Sequence, residues 1–325
     1  MAGMVEQTGR AVLAAHERIR NSITETPLEQ VSGPGIPPLV RLLFKREDLQ
    51  ETGSFKLRGA TNRIMELTPG ERAMGIIAAS NGNHGRGVAA AARKIGVPAE
   101  VYVSSYASTS KIQKIEEYGA IVRRVGDDPL DAEIAARSAA TAAGKTYISP
   151  YNDPEVIAGQ GTIAVELLRQ QPGIDAVFVA VGGGGLIGGI GAYLKWVSPK
   201  TEVVGCWPEN SRVLLESIKA GKIIDVPEQP TLSESTAGGL EPGSITLDIC
   251  KGVIDSSVLV TEEEILAAMC GLQKSKDLLI EGAAAVALAA FHKQARHYEG
   301  KTVVVVICGG NISPEVRSRV ERAVG

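Results

Sequence analysis

The chain is 325 residues long, with 34 Lys and Arg against 37 Asp and Glu, a formal net charge of −3 at pH 7. That balance excludes the basic stripe of a nucleic-acid binder, and 44% hydrophobic with 22% charged residues excludes a disordered chain. Aromatics are only 4%, so the core must come from Val, Ile, Leu and Ala, and 37 glycines point to tight turns and close backbone approaches.

The first twenty residues carry charges throughout and lack the apolar centre of a signal peptide. A β-rich run at 40–44 opens the pattern, and helical periodicity follows at 58–67. Strands are then expected at 75–79, 100–104 and 121–124, alternating with helices at 85–95, 108–118 and 132–143. A helical stretch at 155–170 leads to strands at 176–181, 202–206 and 302–307, with a helix at 186–196 between the first two. Near-continuous apolar runs such as VVVVI (303–307) describe parallel strands covered on both faces. The alternation means βαβ units and an α/β fold with right-handed crossovers. Residues 224–246, rich in Pro, Gly, Ser and Thr, read as a long surface connection.

Cys206, Cys250, Cys270 and Cys308 form no CxxC pair, and His16, His84, His292 and His297 have no metal-ligand spacing. Neither a disulfide framework nor a zinc site is expected, and a soluble, reducing, cytoplasmic setting is the default. Residues 176–194 are uncharged and long enough to span a bilayer. Their glycines, four of them consecutive, would break a spanning helix, so no membrane partner is expected.

Three stretches carry candidate chemistry. In GSFKLRGATNRIMEL (53–67), Gly53-Ser54 reads as a loop and helix N-cap, which places Lys56 in the first helical turn. The helix dipole and partial burial both disfavour its ammonium form, and an uncharged amine is what bonding to a carbonyl cofactor needs. Spacing alone fits an ordinary surface lysine as well. SNGNHG (80–85) lies between an apolar run and an alanine-rich helical pattern. It suits an anion cradle better than a hairpin, because no strand follows. VGGGGLIGGIG (181–191) repeats the strand–glycine–helix arrangement that closes backbone amides around phosphate. It also contains GxGxxG at Gly183, Gly185 and Gly188, with Glu209 about twenty residues on, so an NAD(P)-dependent oxidoreductase is a rival. Close helix–strand packing with no ligand is a further reading.

Together GSFKLRGA (53–60), SNGNHG (80–85), VIAGQGT (156–162), GGGGL (182–186) and CGGN (308–311) resemble the fold-type II pyridoxal-phosphate enzymes, in the serine/threonine dehydratase and serine racemase branch. The resemblance implies two open twisted sheets flanked by helices, with a small domain (75–151) inserted in a large one (1–74 and 152–325). It implies that Lys56 carries pyridoxal 5'-phosphate as a Schiff base and removes the substrate α-proton, and that Phe55 packs on the pyridine ring. Asn83 would bond the phenolic oxygen, Gly182, Gly183, Gly184 and Gly185 the phosphate, with Cys308 at the pyridine nitrogen and Glu281 near the ring. Substrate contacts would come from Ser54, Ser80, Asn81, Gly82, His84, Tyr151 and Gly239. The implied reaction is β-elimination of water from a β-hydroxy-α-amino acid of the L-threonine or L-serine type, giving a 2-oxo acid and ammonia. Larger substrates such as 3-phenylserine, 3-hydroxyaspartate or a hydroxyectoine-derived amino acid stay open. A homodimer is implied by the same likeness.

Three departures from the family pattern shape the expectations. Asn81 stands where racemases carry a second serine base, so elimination without efficient racemisation is expected. Trp207 replaces a metal-binding glutamate, so no metal is expected there. The chain ends at Gly325 without the regulatory domain of biosynthetic threonine deaminases, so isoleucine feedback is not expected.

Overall fold

A computed structural model describes residues 2–33, 35–127 and 129–324. Among these, ten strands form two sheets. The first has the order β1-β2-β10-β7-β8-β9, from β1 (Leu28–Val31), β2 (Arg41–Arg46), β7 (Ala176–Ala180), β8 (Glu202–Pro208), β9 (Ser256–Val260) and β10 (Thr302–Ile307). The second has the order β5-β4-β3-β6, from β3 (Ile76–Ala79), β4 (Ala99–Val103), β5 (Ile121–Arg124) and β6 (Thr146–Tyr147). Every pairing is parallel except β1 with β2. The α/β reading with helix-connected parallel strands therefore holds.

The seven strands expected from sequence are all present, shifted by two residues at most. β1, β6 and β9 had no sequence expectation. β1 is an edge strand, LEQV, with no buried residue, and β6 is two residues long, so neither produces an apolar run. Further helices at Glu262–Lys276 and Gly282–Gln294 were also unforeseen. The first opens with a capping box from Thr261 and Glu264. The second, GAAAVALAAFHKQ, is buried along its first ten residues and so shows no amphipathic period. Residues 222–245 contain no helix or strand, as the long connection requires. The segment 176–194 is β7 followed by a turn and a helix, and no helix among the described residues is long and apolar enough to cross a membrane.

The core beneath the first sheet is built from β7, β8, β10 and the helix Gly282–Gln294. The core of the second takes in Leu57, Ala60 and Ile64 from the helix Lys56–Met65. Behind that helix lies a buried ionic cluster. Arg58 grips Glu47 through Nε (2.8 Å) and Nη2 (2.8 Å), and Glu166 through Nη1 (2.6 Å) and Nη2 (2.9 Å). Lys45 donates to Glu166 (2.6 Å) and to the Thr26 carbonyl (2.7 Å). All four charged side chains are essentially inaccessible. Two cations face two anions, so the cluster balances, and bidentate geometry offsets the desolvation cost. Arg58→Met leaves Glu47 unpaired by any cation and should lower stability by about 3–5 kcal/mol. Urea unfolding checks this, with the transition midpoint moving well down.

Candidate active site

The parallel strands of both sheets aim their carboxyl ends at one cleft, where ligands bind in open α/β sheets. Cys308 follows β10, Gly182 follows β7, Ser80 follows β3, and Ile148 to Pro150 follow β6. Hydrogen bonds and contacts between these strand ends, given below, show that they meet.

Lys56 is the first residue of the helix Lys56–Met65. Ser54 is not its N-cap. That position belongs to Phe55, at φ −57° and ψ −21°, with no side-chain cap bond. The helix starts here because Phe55 N–H is already satisfied by the Cys308 carbonyl at 3.0 Å. Gly53, at φ +73°, turns the chain into that contact. Ser54 pairs with Gly309 in an isolated bridge, and its buried hydroxyl has no partner. Lys56 Nζ donates to the Pro150 carbonyl at 2.8 Å and lies 5.1 Å from the Phe55 ring centroid. Burial pushes its pKa down to about 8, against the opposing pull of Cys308 and Glu281.

The SNGNHG stretch forms a turn into the helix Asn83–Ile95, with Gly82 at the N-cap. The first bond of that helix is Arg86 N–H to the Gly82 carbonyl, so the amides of Asn83, His84 and Gly85 have no intrahelical partner. Ser80 Oγ accepts from Gly82 N–H at 3.1 Å. His84 Nε2 lies 2.9 Å from the Ile148 carbonyl, an acceptor, so the proton sits on Nε2 and Nδ1 is left as an unpartnered buried acceptor. Burial, then the nearby Lys56, push His84 down to about 3, so the ring is neutral. Asn81 spends both amide atoms on Ser104, donating to Oγ and accepting from N–H, each at 2.8 Å.

The glycine run turns from β7 into the helix Gly185–Val197, with Gly184 at φ +87° as N-cap. Its first bond, Gly188 N–H to the Gly184 carbonyl, leaves the preceding amides without an intrahelical partner. A Cβ on Gly182 would come within 2.8 Å of the Thr236 carbonyl, and one on Gly183 within 2.5 Å of the Tyr151 ring. Tyr151 thus lies against the glycine run, and its hydroxyl accepts the Glu241 N–H at 2.9 Å.

Glu281 accepts from Asn83 Nδ2 (2.9 Å) and Ser235 Oγ (3.0 Å), and its Oε1 lies 3.9 Å from Cys308 Sγ. Burial raises the pKa of both Glu281 and Cys308, so the thiol is neutral. Lys56, Phe55, Asn83, His84, Glu281, Cys308, Tyr151 and the glycine run therefore converge. Gly239 is exposed and a Cβ there would meet nothing within 4 Å, so it makes no contact with these residues, although its neighbours Thr236 and Glu241 touch Gly182 and Tyr151. Two residues on, Glu241 reaches the cleft edge, where its Oε2 binds Arg137 at 2.5 Å. Trp207 is buried against Gly205, and among the described residues no group of three or more His, Cys, Asp or Glu side chains could hold a metal ion.

Sequence reasoning missed Arg86, Asn311, Ser235 and Glu241. Asn311 and Arg86 lie in or directly beside the CGGN and SNGNHG motifs, a signal that could have found them. Ser235 and Glu241 sit in the unstructured connection, where no periodicity marks them.

The family pattern described as pyridoxal-phosphate dependent enzyme matches residues 19–309. The chain is 39% identical over 306 residues to the L-threonine ammonia-lyase of Thermotoga maritima, covering 94% of this chain and 76% of that protein. It superposes on the processed form of threonine deaminase isoform 2 from Solanum lycopersicum with a TM-score of 0.93 at 31% identity, covering 100% of this chain and 94% of that one. Serine racemase from Dictyostelium discoideum gives a TM-score of 0.85 at 33% identity, covering 94% and 98%. The match decides the cofactor question against the nicotinamide reading of Gly183, Gly185 and Gly188: the chain belongs to the pyridoxal-phosphate dependent enzymes.

Proposed function

We propose that the protein is an ammonia-lyase that removes water from a small β-hydroxy-α-amino acid of the L-threonine or L-serine type, yielding a 2-oxo acid and ammonia. The observation that carries this reading is a lysine amine, Lys56, held in a cleft that lowers its pKa to about 8, between two helix N-termini with free amides. The residues present suit pyridoxal phosphate. The glycine run leaves no room for side chains on its inner face, and Ser54 Oγ is a buried polar atom without a partner.

When bound, the cofactor supplies an electron sink for the α-carbon, and the protein supplies the rest. In this reading the amides at 182–185 bind phosphate, and Phe55 covers one ring face. Asn83 has one N–H on Glu281 and a second left for the phenolic oxygen. Cys308, being neutral, would offer no negative charge to the pyridine nitrogen, so the ring would be a weaker electron sink for the α-carbon, which suits prompt loss of the β-hydroxyl. Ser80 and the amides after Gly82 bind the substrate carboxylate. Lys56 Nζ would hold the cofactor through its aldehyde, and the same amine, when free, would act as the base that takes the substrate α-proton. The segment 75–151 acts as an inserted small domain, and the protein works as a cytoplasmic homodimer.

Lys56→Ala should lower ammonia release from L-threonine and L-serine by about a hundredfold or more. In the wild type, borohydride should fix a pyridoxyl group on the Lys56 peptide, read by mass spectrometry. A retained turnover in the variant sinks the reading.

Colour should develop on adding pyridoxal 5'-phosphate to cofactor-free protein at a rate that climbs as pH rises through about 8 and then levels, because only the free amine attacks. A midpoint near 10.5, the ordinary lysine value, contradicts the buried amine.

Asn81 is a carboxamide with both amide atoms committed to Ser104, so it neither reaches out nor takes a proton. In deuterium oxide, L-serine should give pyruvate and ammonia with little labelled D-serine. Formation of the D-enantiomer at rates comparable to ammonia release counts against this.

A further inference from the structure

The amide of Asn83 must present the correct atom to the cofactor. A carboxamide has one accepting end and one donating end, of nearly equal shape. If Asn83 turned over, a carbonyl oxygen would face the phenolic oxygen and repel it. The orientation is set by neighbours, and those neighbours, Asn311 and Arg86, are residues to which no role was assigned above.

Asn83 Oδ1 accepts from Asn311 Nδ2 at 2.8 Å. Asn311 could itself turn over, but both of its ends are held by groups with a single polarity. Its Oδ1 accepts from Arg86 Nη1 at 2.7 Å, and a guanidinium can only donate. Its Nδ2 also donates to the Thr52 carbonyl at 2.9 Å, and a carbonyl can only accept. At the far end, Asn83 Nδ2 donates to Glu281 Oε2 at 2.9 Å. The chain Arg86 to Asn311 to Asn83 to Glu281 therefore has one direction of donation throughout. The backbone fits around it: a Cβ on Gly53 would lie 2.9 Å from Asn311 Oδ1.

We propose that Arg86 and Asn311 are positioning residues that lock the Asn83 amide with its N–H₂ toward Glu281 and the cofactor's phenolic oxygen. This rests on the site reading above. Arg86 supplies the donor-only end and Asn311 transmits it. Neither touches the reacting atoms.

The test uses full-length protein loaded with pyridoxal 5'-phosphate. Asn311→Asp replaces the donating nitrogen with an accepting oxygen of the same shape. Asn83 then turns its N–H₂ toward position 311 and its oxygen toward the cofactor. A hydrogen bond donated to the phenolic oxygen favours the visible-absorbing form of the bound cofactor over the near-ultraviolet form. The variant should therefore lose visible absorbance relative to near-ultraviolet absorbance at equal bound cofactor, and kcat should fall about tenfold or more with KM changed little. Arg86→Lys keeps a donor-only side chain and should hold the wild-type band ratio. Arg86→Glu, an acceptor at the same place, should move it in the same direction as Asn311→Asp, which keeps the test alive if Asn311→Asp fails to fold. An unchanged band ratio in a folded, loaded Asn311→Asp or Arg86→Glu protein overturns the lock while leaving the site reading intact. A wild-type protein that stays colourless with pyridoxal phosphate overturns both.

Discussion

The site depends on a main-chain clasp between two segments far apart in sequence. Phe55 N–H bonds the Cys308 carbonyl, and Gly310 N–H bonds the Gly53 carbonyl, both at 3.0 Å. Ser54 and Gly309 face each other between these bonds as an isolated antiparallel bridge. Their parent strands, β2 and β10, already run side by side in the sheet, so the clasp lies beyond the end of their ladder. It sets Lys56 and Cys308 at fixed separation, and it lets the helix Lys56–Met65 begin with Lys56 facing the cleft. Tight approach is essential here, because a Cβ on Gly309 would lie 2.7 Å from the Glu281 carboxyl carbon.

Burial then sets the protonation of what the clasp assembles. It lowers the bases, Lys56 and His84, and raises the acids, Glu281 and Cys308. All four shifts run toward the neutral form, as expected where water is scarce and no strong counter-ion is aimed at the group. For Lys56 this frees an amine near neutral pH. For Cys308 it keeps the thiol uncharged. In the proposed reading one physical cause thus prepares both the amine that holds the cofactor and the group beside its pyridine nitrogen.

The opposite arrangement holds two residues along the same helix. Arg58, Lys45, Glu47 and Glu166 are buried more deeply than Lys56, and all are paired through short, well-directed hydrogen bonds. Among the described residues, Lys56 has a backbone carbonyl, that of Pro150, as its one hydrogen-bond acceptor. Burial lowers the pKa of Lys45 as well, but Glu166 and Glu47 pull it back up, and they hold Arg58 raised, whereas Lys56 has no carboxylate within hydrogen-bond reach. The helix therefore has a paired ionic back and a front where the amine has a backbone partner.

The sequence alone determined the strands with continuous apolar runs and the alternation that makes parallel sheets, because periodicity and turn chemistry act within a few residues. Lys56, Asn83, Gly182 to Gly185, Glu281 and Cys308 are singled out by the resemblance that their motifs carry, since spacing by itself leaves Lys56 open to a surface reading and gives no signal for Glu281 or Cys308. The tertiary structure decided what depends on partners distant in the chain. β1 and β6 exist because a neighbouring strand offers a ladder, not because of their own composition. The helix Gly282–Gln294 is apolar on every side because it is enclosed, which removes the period that would reveal it. Ser54 loses the N-cap to Phe55 because a carbonyl from β10's end satisfies the amide first. Asn311, Arg86 and Glu241 act through partners that no spacing rule connects to them, and a hydrogen bond's direction is fixed only when both of its ends are in place.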